Sequence, residues 1–293
     1  MHTFKELAYA KINLFLDVLS LREDGFHDIR SVMHTVSLCD EVTLTLTPAK
    51  GASVSITVED APYVPADGRN LAYQAAETFL RRGHFYDRVD IHLVKRIPTA
   101  AGMAGGSSDA AAVLRGLNKL YRKPFSSRAL LSMAAELGSD VPFCLLGHTA
   151  LCEGRGERMT PLNAPKGVNF VVACADERIS AKAAYAVLDE RYASFDGSVA
   201  TGGDGAFDAL CAWLHGNGSM PQRLFNIFED AVMSLCEGAA AIRRTLMREG
   251  ASLALLSGSG PSVFGVFTDR SLAEAAAACL RAEGVRAFAV SSV

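Results

Sequence analysis

Three glycines and two serines crowd one short stretch, Pro98-Thr99-Ala100-Ala101-Gly102-Met103-Ala104-Gly105-Gly106-Ser107-Ser108, between an alternating apolar run and a helical one. Glycine lacks Cβ, so its backbone can approach an anion closely and successive N–H groups can turn toward it. The following helix, with an apolar stripe of Val113, Leu114, Leu117 and Leu120, offers free N–H groups and a positive dipole end. The chemistry this favours is phosphate binding. Ser107 and Ser108 add hydroxyls that can donate to a phosphate or reach a phosphate-bound Mg²⁺, with Ser108 as the metal-facing candidate. The spacing excludes a Walker A loop, because no Gly-Lys-Ser/Thr follows, and it also excludes G-x-G-x-x-G and a G-x-S-x-G nucleophile elbow. A serine-capped strand-to-helix turn is the structural alternative, but it has no need of so many small residues. A second tract, Ser257-Gly258-Ser259-Gly260-Pro261, reads equally as a hairpin loop or as a loop facing a ligand.

Two further residues draw notice by position. Residues 7 to 18 alternate with period two, placing Ala8, Ala10, Ile12, Leu14, Leu16 and Val18 on one face and Tyr9, Lys11, Asn13, Phe15 and Asp17 on the other. The second face sets Lys11 and Asn13 side by side between aromatics. Taken alone, a strand lysine is solvated. Asp140, ahead of Val141-Pro142, reads alone as a helix N-cap.

The elements that position these residues follow from periodicity. Val42–Thr47 and Val54–Val58 flank Gly51 and read as a hairpin. Asn70 caps a helix running to Arg82 and closed by Gly83. Residues 89 to 97 form a strand, and Ser126–Leu137 a helix with Gly138 beyond it. Short strands over 149–162 precede a break at 161–167, which divides the chain into domains 1–163 and 164–293. The second part reads as a strand (169–174), a helix (180–191), a flexible Gly-Ser-Asp tract (194–205) and then a helix. One more helix over 226–249, strands at 252–257 and 262–267, and a helix over 271–283 follow. Hairpins with segregated helices make this α+β rather than a doubly wound parallel sheet.

Composition narrows the class. The 293 residues are 49% hydrophobic and 21% charged, with a formal net charge of -3, which is ordinary globular composition. No broad field attracts nucleic acid or acidic membranes, and no apolar stretch reaches the ~20 residues that span a bilayer. Seven scattered cysteines without C-x-x-C spacing argue against a disulfide framework or a structural metal. With no signal peptide pattern at the N-terminus, the cytoplasm is the expected compartment.

Together the glycine-rich loop, Ala10-Lys11-Ile12-Asn13-Leu14, Asp24-Gly25-Phe26-His27, Gly138-Ser139-Asp140-Val141-Pro142 and Ser257-Gly258-Ser259-Gly260-Pro261 resemble the family of galactokinase, homoserine kinase and mevalonate kinase. That family's loop reads Pro-x-x-x-Gly-Leu-Gly-Ser-Ser, with Met103 here for leucine. The motif set is most similar to a branch whose substrate carries cytidine diphosphate. The resemblance implies an N-terminal domain like domain 2 of ribosomal protein S5 and a ferredoxin-like C-terminal domain. It implies ATP with Mg²⁺ as phosphoryl donor, bound by Pro98 to Ser108. It implies Lys11 and Asp140 as catalytic residues, the aspartate receiving or orienting the acceptor hydroxyl and the lysine pairing with it and offsetting charge. It also implies a cytidine pocket of His27, Phe26 and Tyr185, with Asn13 touching the substrate or holding Lys11. Phe26 stands where the family often has tyrosine, and Ala181 where it usually has threonine. A kinase of homoserine, a mevalonate derivative or a sugar, and an inactive nucleotide-binding regulator, remain the alternatives. The expected assembly is a monomer or homodimer.

Overall fold

The alternation over residues 7 to 18 extends in both directions into one long strand, β1 (His2–Leu21), and a polar turn leads into a second, β2 (His27–Thr47). Then come β3 (Ser53–Glu59), α1 (Leu71–Gly83), β4 (Arg88–Val94), α2 (Gly105–Leu120), α3 (Ser127–Leu137), α4 (Val141–Leu146), β5 (Thr149–Gly154) and β6 (Arg158–Leu162). The later chain holds β7 (Asn169–Cys174), α5 (Ala181–Arg191), α6 (Asp204–Leu214), β8 (Phe225–Asn226), α7 (Glu229–Leu235) and α8 (Glu237–Arg248). It closes with β9 (Leu253–Leu256), β10 (Ser262–Phe267), α9 (Arg270–Ala282) and β11 (Arg286–Val290). The computed structural model describes residues 1–177, 179–191 and 203–293. Most of the expected Gly-Ser-Asp tract therefore lies outside the described residues.

The chain divides into two units, and β1 and β2 contribute residues to both. Unit 1 comprises Met1–Ala10, Leu38–Thr99 and Ala104–Leu146. In it β4 pairs antiparallel with the second half of β2 (Glu41↔Val94 to Thr47↔Arg88) and parallel with β3 (Ser53↔Arg88 to Glu59↔Val94). The expected hairpin of β2 and β3 is thus corrected, because β4 lies between them. Val89, Ile91 and Leu93 are all buried while β3 is largely exposed, so the more apolar strand takes the central place. Helices α1 to α4 pack around one core with Val42, Leu44, Phe79, Val113, Leu114, Leu117 and Val141 in its centre. Asn70 caps α1 by accepting from Ala72 N, and Ser126 caps α3 by accepting from Ala129 N.

Unit 2 comprises Lys11–Ser37, Ala100–Met103 and Gly147–Val293. Its four-stranded sheet runs β11-β7-β10-β9 with antiparallel neighbours. Helices α8 and α9 pack against that sheet. With strands numbered within the sheet, this is the β-α-β-β-α-β order of a ferredoxin-like fold. The expectation of an α+β chain with a ferredoxin-like C-terminal part holds. The sequence reading omitted β11, which pairs with β7 from Arg286↔Cys174 to Val290↔Phe170. The helix expected over 226–249 is two helices, separated where Cys236 turns extended (φ −132°, ψ 88°). Glu177 Oε1 accepts from Gly238 N at 2.9 Å in the first turn of α8. In the same unit β8 pairs with β1 (Phe15↔Phe225), and β5 with the first half of β2.

Candidate active site

Lys11, Asn13 and Asp17, read as one polar strand face, are buried to 4%, 1% and 0% exposure. Lys11 Nζ donates to Asn13 Oδ1 at 2.6 Å, and Asn13 Nδ2 donates to Ser31 Oγ at 2.8 Å. Lys11 N donates to Met103 O at 3.2 Å, which ties the strand to the tip of the glycine-rich loop. Gly102 at that tip has φ +72°, and a Cβ there would lie 2.3 Å from Ser257 O. Gly258 (φ +60°) approaches from the other side, its Cβ position 3.2 Å from Gly102 O and 3.5 Å from Asn13 Oδ1. Both close approaches and both left-handed backbones require glycine. The late glycine-serine tract is the hairpin loop that joins β9 to β10, and it also packs on the tip of the first loop and beside Asn13. Asn226 holds it there, with Nδ2 donating to Leu256 O at 2.9 Å and to Gly258 O at 2.8 Å.

The expected cytidine pocket also falls in unit 2. Arg22 Nη1 donates to Asp28 Oδ1 at 2.9 Å and Arg22 Nε to Asp24 Oδ1 at 3.1 Å, so the turn before β2 is pinned at both ends. Arg22 and the Phe26 N–H hold the Asp24 carboxyl below the usual carboxylate range. Phe26, on this turn, is 48% exposed, and the Arg155 guanidinium covers one face of its ring, 3.6 Å from the centroid. His27 stacks on Tyr185 with centroids 4.7 Å apart, and its Nε2 donates to Asp189 Oδ1 at 2.8 Å. Tyr185 in turn meets the edge of Phe228, centroids 4.8 Å apart.

Unit 1 holds the arms of the glycine-rich loop and Asp140. Ala104, the residue before α2, has φ 56°, and no side chain caps the helix among the described residues. A non-glycine residue in this region is strained, and an uncapped N-terminus leaves N–H groups for an anion. Ser107 is half-buried there. Ser108, read as the metal-facing hydroxyl, has a buried side chain whose Oγ donates to Tyr9 O at 2.6 Å. Beneath the loop, Lys95 Nζ donates to Asp40 Oδ2 and, at 2.7 Å, to Asp109 Oδ2. Asp40 Oδ1 accepts from Arg96 N and, at 2.8 Å, from Ile97 N. This buried trio ties the chain entering the loop to the first turns of α2. Burial pushes the Asp109 carboxyl up, against the pull of Lys95. Burial opposes the Lys95 charge, and the two carboxylates outweigh it and raise its pKa. Asp140 stands directly before α4, and its carbonyl accepts from Cys144 N at 3.0 Å.

The structure thus joins Lys11 with Asn13, His27 with Tyr185, and Gly102 with the second glycine tract. Sequence reasoning missed Ser31, Arg155, Asp189, Asn226 and the Lys95 trio. Asn226, polar between Phe225 and Ile227, carried a usable signal, because a polar residue in an apolar run asks for a buried partner. The others are ordinary surface types by sequence.

Residues 70–148 match the family described as GHMP kinases N terminal domain, and residues 202–286 match GHMP kinases C terminal. Fold and phosphate-favouring helix start are those of a small-molecule phosphotransferase of this class. A relative from Gloeobacter violaceus named 4-diphosphocytidyl-2-C-methyl-D-erythritol kinase is 42% identical over 97% of this chain and 92% of its own. One of the same name from Shouchella clausii is 40% identical over 90% and 86%. A crystal structure of 4-(cytidine 5'-diphospho)-2C-methyl-D-erythritol kinase matches with TM-score 0.78 and 33% identity, covering 98% of both chains. Homoserine kinase from Cytophaga hutchinsonii, at TM-score 0.73 and 20% identity over 100% of this chain and 95% of its own, shares the fold. The chain belongs to the 4-diphosphocytidyl-2-C-methyl-D-erythritol kinase family within the GHMP kinases.

Proposed function

We propose that the protein transfers the γ-phosphoryl group of ATP to the 2-hydroxyl of 4-diphosphocytidyl-2-C-methyl-D-erythritol, with Asp140 as base and Lys11 as the attending cation. The observation that carries the reading is 42% identity over 97% of the chain to a relative named for this kinase. The reaction is a step of non-mevalonate isoprenoid precursor synthesis. Phosphoryl transfer depends on positioning and charge more than on covalent help. Asp140 takes the proton of the attacking hydroxyl, the new O–P bond forms as the β–γ bridge breaks, and ADP leaves. Lys11 offsets the charge that gathers on the transferring group. Its burial, with a neutral amide oxygen rather than a carboxylate as its partner within unit 2, leaves its charge available for an anion. His27, Phe26 and Tyr185 hold the cytidine, and Asn13 holds Lys11.

Residues 98–108 take the ATP phosphates. Mg²⁺ would arrive with them and supply charge neutralisation, with Ser107 as the loop hydroxyl suited to it. Among the described residues no group of three or more His, Cys, Asp or Glu side chains is spaced to hold a metal. No described helix is long and apolar enough to cross a membrane. The reading places the enzyme in the cytoplasm as a monomer or homodimer.

The test is ADP release with the cytidine substrate beside homoserine, mevalonate and galactose. Turnover confined to the cytidine compound is expected, and turnover with another acceptor instead would overturn the substrate. Asp140→Asn should fold, bind nucleotide and lose ~10²–10⁴-fold in turnover. Near-normal turnover in that variant would remove Asp140 as the base.

A further inference from the structure

A lysine ammonium has three N–H donors and no acceptor. The Asn13 carboxamide must therefore present its oxygen to Lys11 Nζ, 2.6 Å away. That orientation turns the amide NH₂ toward Ser31 Oγ at 2.8 Å, so the serine oxygen accepts. The serine's single proton then goes to Phe15 O at 2.7 Å. Each bond fixes the direction of the next. With the amide reversed, N–H groups would face the ammonium, and its oxygen would meet a serine whose proton is already given to Phe15 O.

The surroundings leave the amide little room. Ser31 is fully buried on β2, so no bulk water substitutes for its oxygen. On the other side stands the Gly258 backbone, whose Cβ position lies 3.5 Å from Asn13 Oδ1. Packing limits how far Asn13 can swing, but it does not choose between the amide's two ends, which are nearly equal in shape. Among the described residues, the polarity of Ser31 makes that choice from the side away from the lysine.

We infer that Ser31 is a positioning residue for phosphoryl transfer: by accepting from Asn13 Nδ2 it fixes the amide oxygen that holds the Lys11 ammonium in place. The inference rests on the reading of Lys11 as the attending cation. It makes Ser31 act on the reaction through two side chains and without touching either substrate.

Ser31→Val removes the hydroxyl, and Ser31→Thr keeps it with nearly the same volume. A hydrogen bond that serves a charged group is worth about a tenfold change. Ser31→Val should therefore lower kcat about tenfold with both KM values little changed, and Ser31→Thr should recover most of the loss. In an Asn13→Ala background Ser31→Val should add no further loss, because the amide it orients is gone. Wild-type kcat in Ser31→Val, no recovery with threonine, or an equal loss in the Asn13→Ala background would overturn the inference. If circular dichroism shows that Ser31→Val does not fold, the smaller Ser31→Ala carries the same comparison. Lys11→Met separates the inference from its premise. Near-normal turnover in Lys11→Met overturns both, whereas lost turnover there with intact Ser31→Val overturns Ser31 alone.

Discussion

Arg155 lies over one face of a half-exposed Phe26, so a base that stacks on this ring meets its other face. A cation over an aromatic ring is worth ~0.5–1 kcal/mol at an exposed site. Arg155→Ala should therefore raise the KM for the cytidine substrate by about two- to fivefold while the KM for ATP stays. Steady-state kinetics with each substrate varied checks this, and an unchanged cytidine KM would show that Phe26 needs no support from Arg155. The pairing of Lys11 with Asn13 on one strand face was visible in the alternation. A role for Lys11 came only through the resemblance of the motif set, because a strand lysine taken alone is solvated. Arg155 and Asp189 were not legible, because each is defined by its partner. His27 and Asp189 stand 162 residues apart, and nothing local marks either as half of a pair. Ser31 sits nearer in sequence, yet a serine on a strand is unremarkable until the carbonyl and amide on either side of it are known.

Among the elements, the loop entering α2 is held by charge as well as by shape. Asp40 grips the backbone of Arg96 and Ile97, and Lys95 joins Asp40 to Asp109 on α2. Removing the lysine from between two buried carboxylates leaves like charges unpaired, and breaking a buried pair in this way costs ~3–5 kcal/mol. Lys95→Met should thus lower the free energy of unfolding by about that amount, read from the urea midpoint. A loss under ~1 kcal/mol, the range of an exposed pair, would show that the trio is not a true clamp. Helices α1 and α3 were legible to within a residue or two because their caps, Asn70 and Ser126, make the bonds that those residue types favour. The pairing of β3 was not legible, since adjacency in sequence says nothing about a later strand that inserts. Nor was the break at Cys236, because Gly238 alone, two residues on, is tolerated inside a helix and need not end one.

For the molecule as a whole, the α+β class followed from the order of its runs. The ferredoxin-like order could come only through the resemblance, because strand neighbours are set by packing and not by period. His34 shows how far apart the joined segments lie. Its ring is hydrogen-bonded to Thr149 Oγ1 at 2.8 Å and to Ser292 Oγ at 3.0 Å. Burial, helped by nearby His148, lowers its pKa from 6.5 to about 3. The folded state therefore refuses a proton that the unfolded chain accepts near pH 6.5. This contribution to stability is complete above pH 6.5 and is lost as pH falls toward about 3. His34→Gln should flatten the fall of Tm between those limits, and equal slopes in the two proteins would exclude His34 as its source. The same corner of unit 2 joins Ser37 N to Ser291 O at 2.9 Å and Val293 N to Thr35 O at 3.2 Å. Ribosomes add ~5–20 residues per second, so β2, the strand that carries Ser31, waits some tens of seconds for these partners. During that interval the backbone at Thr35 and Ser37 goes without these bonds, so this corner of unit 2 closes late in synthesis.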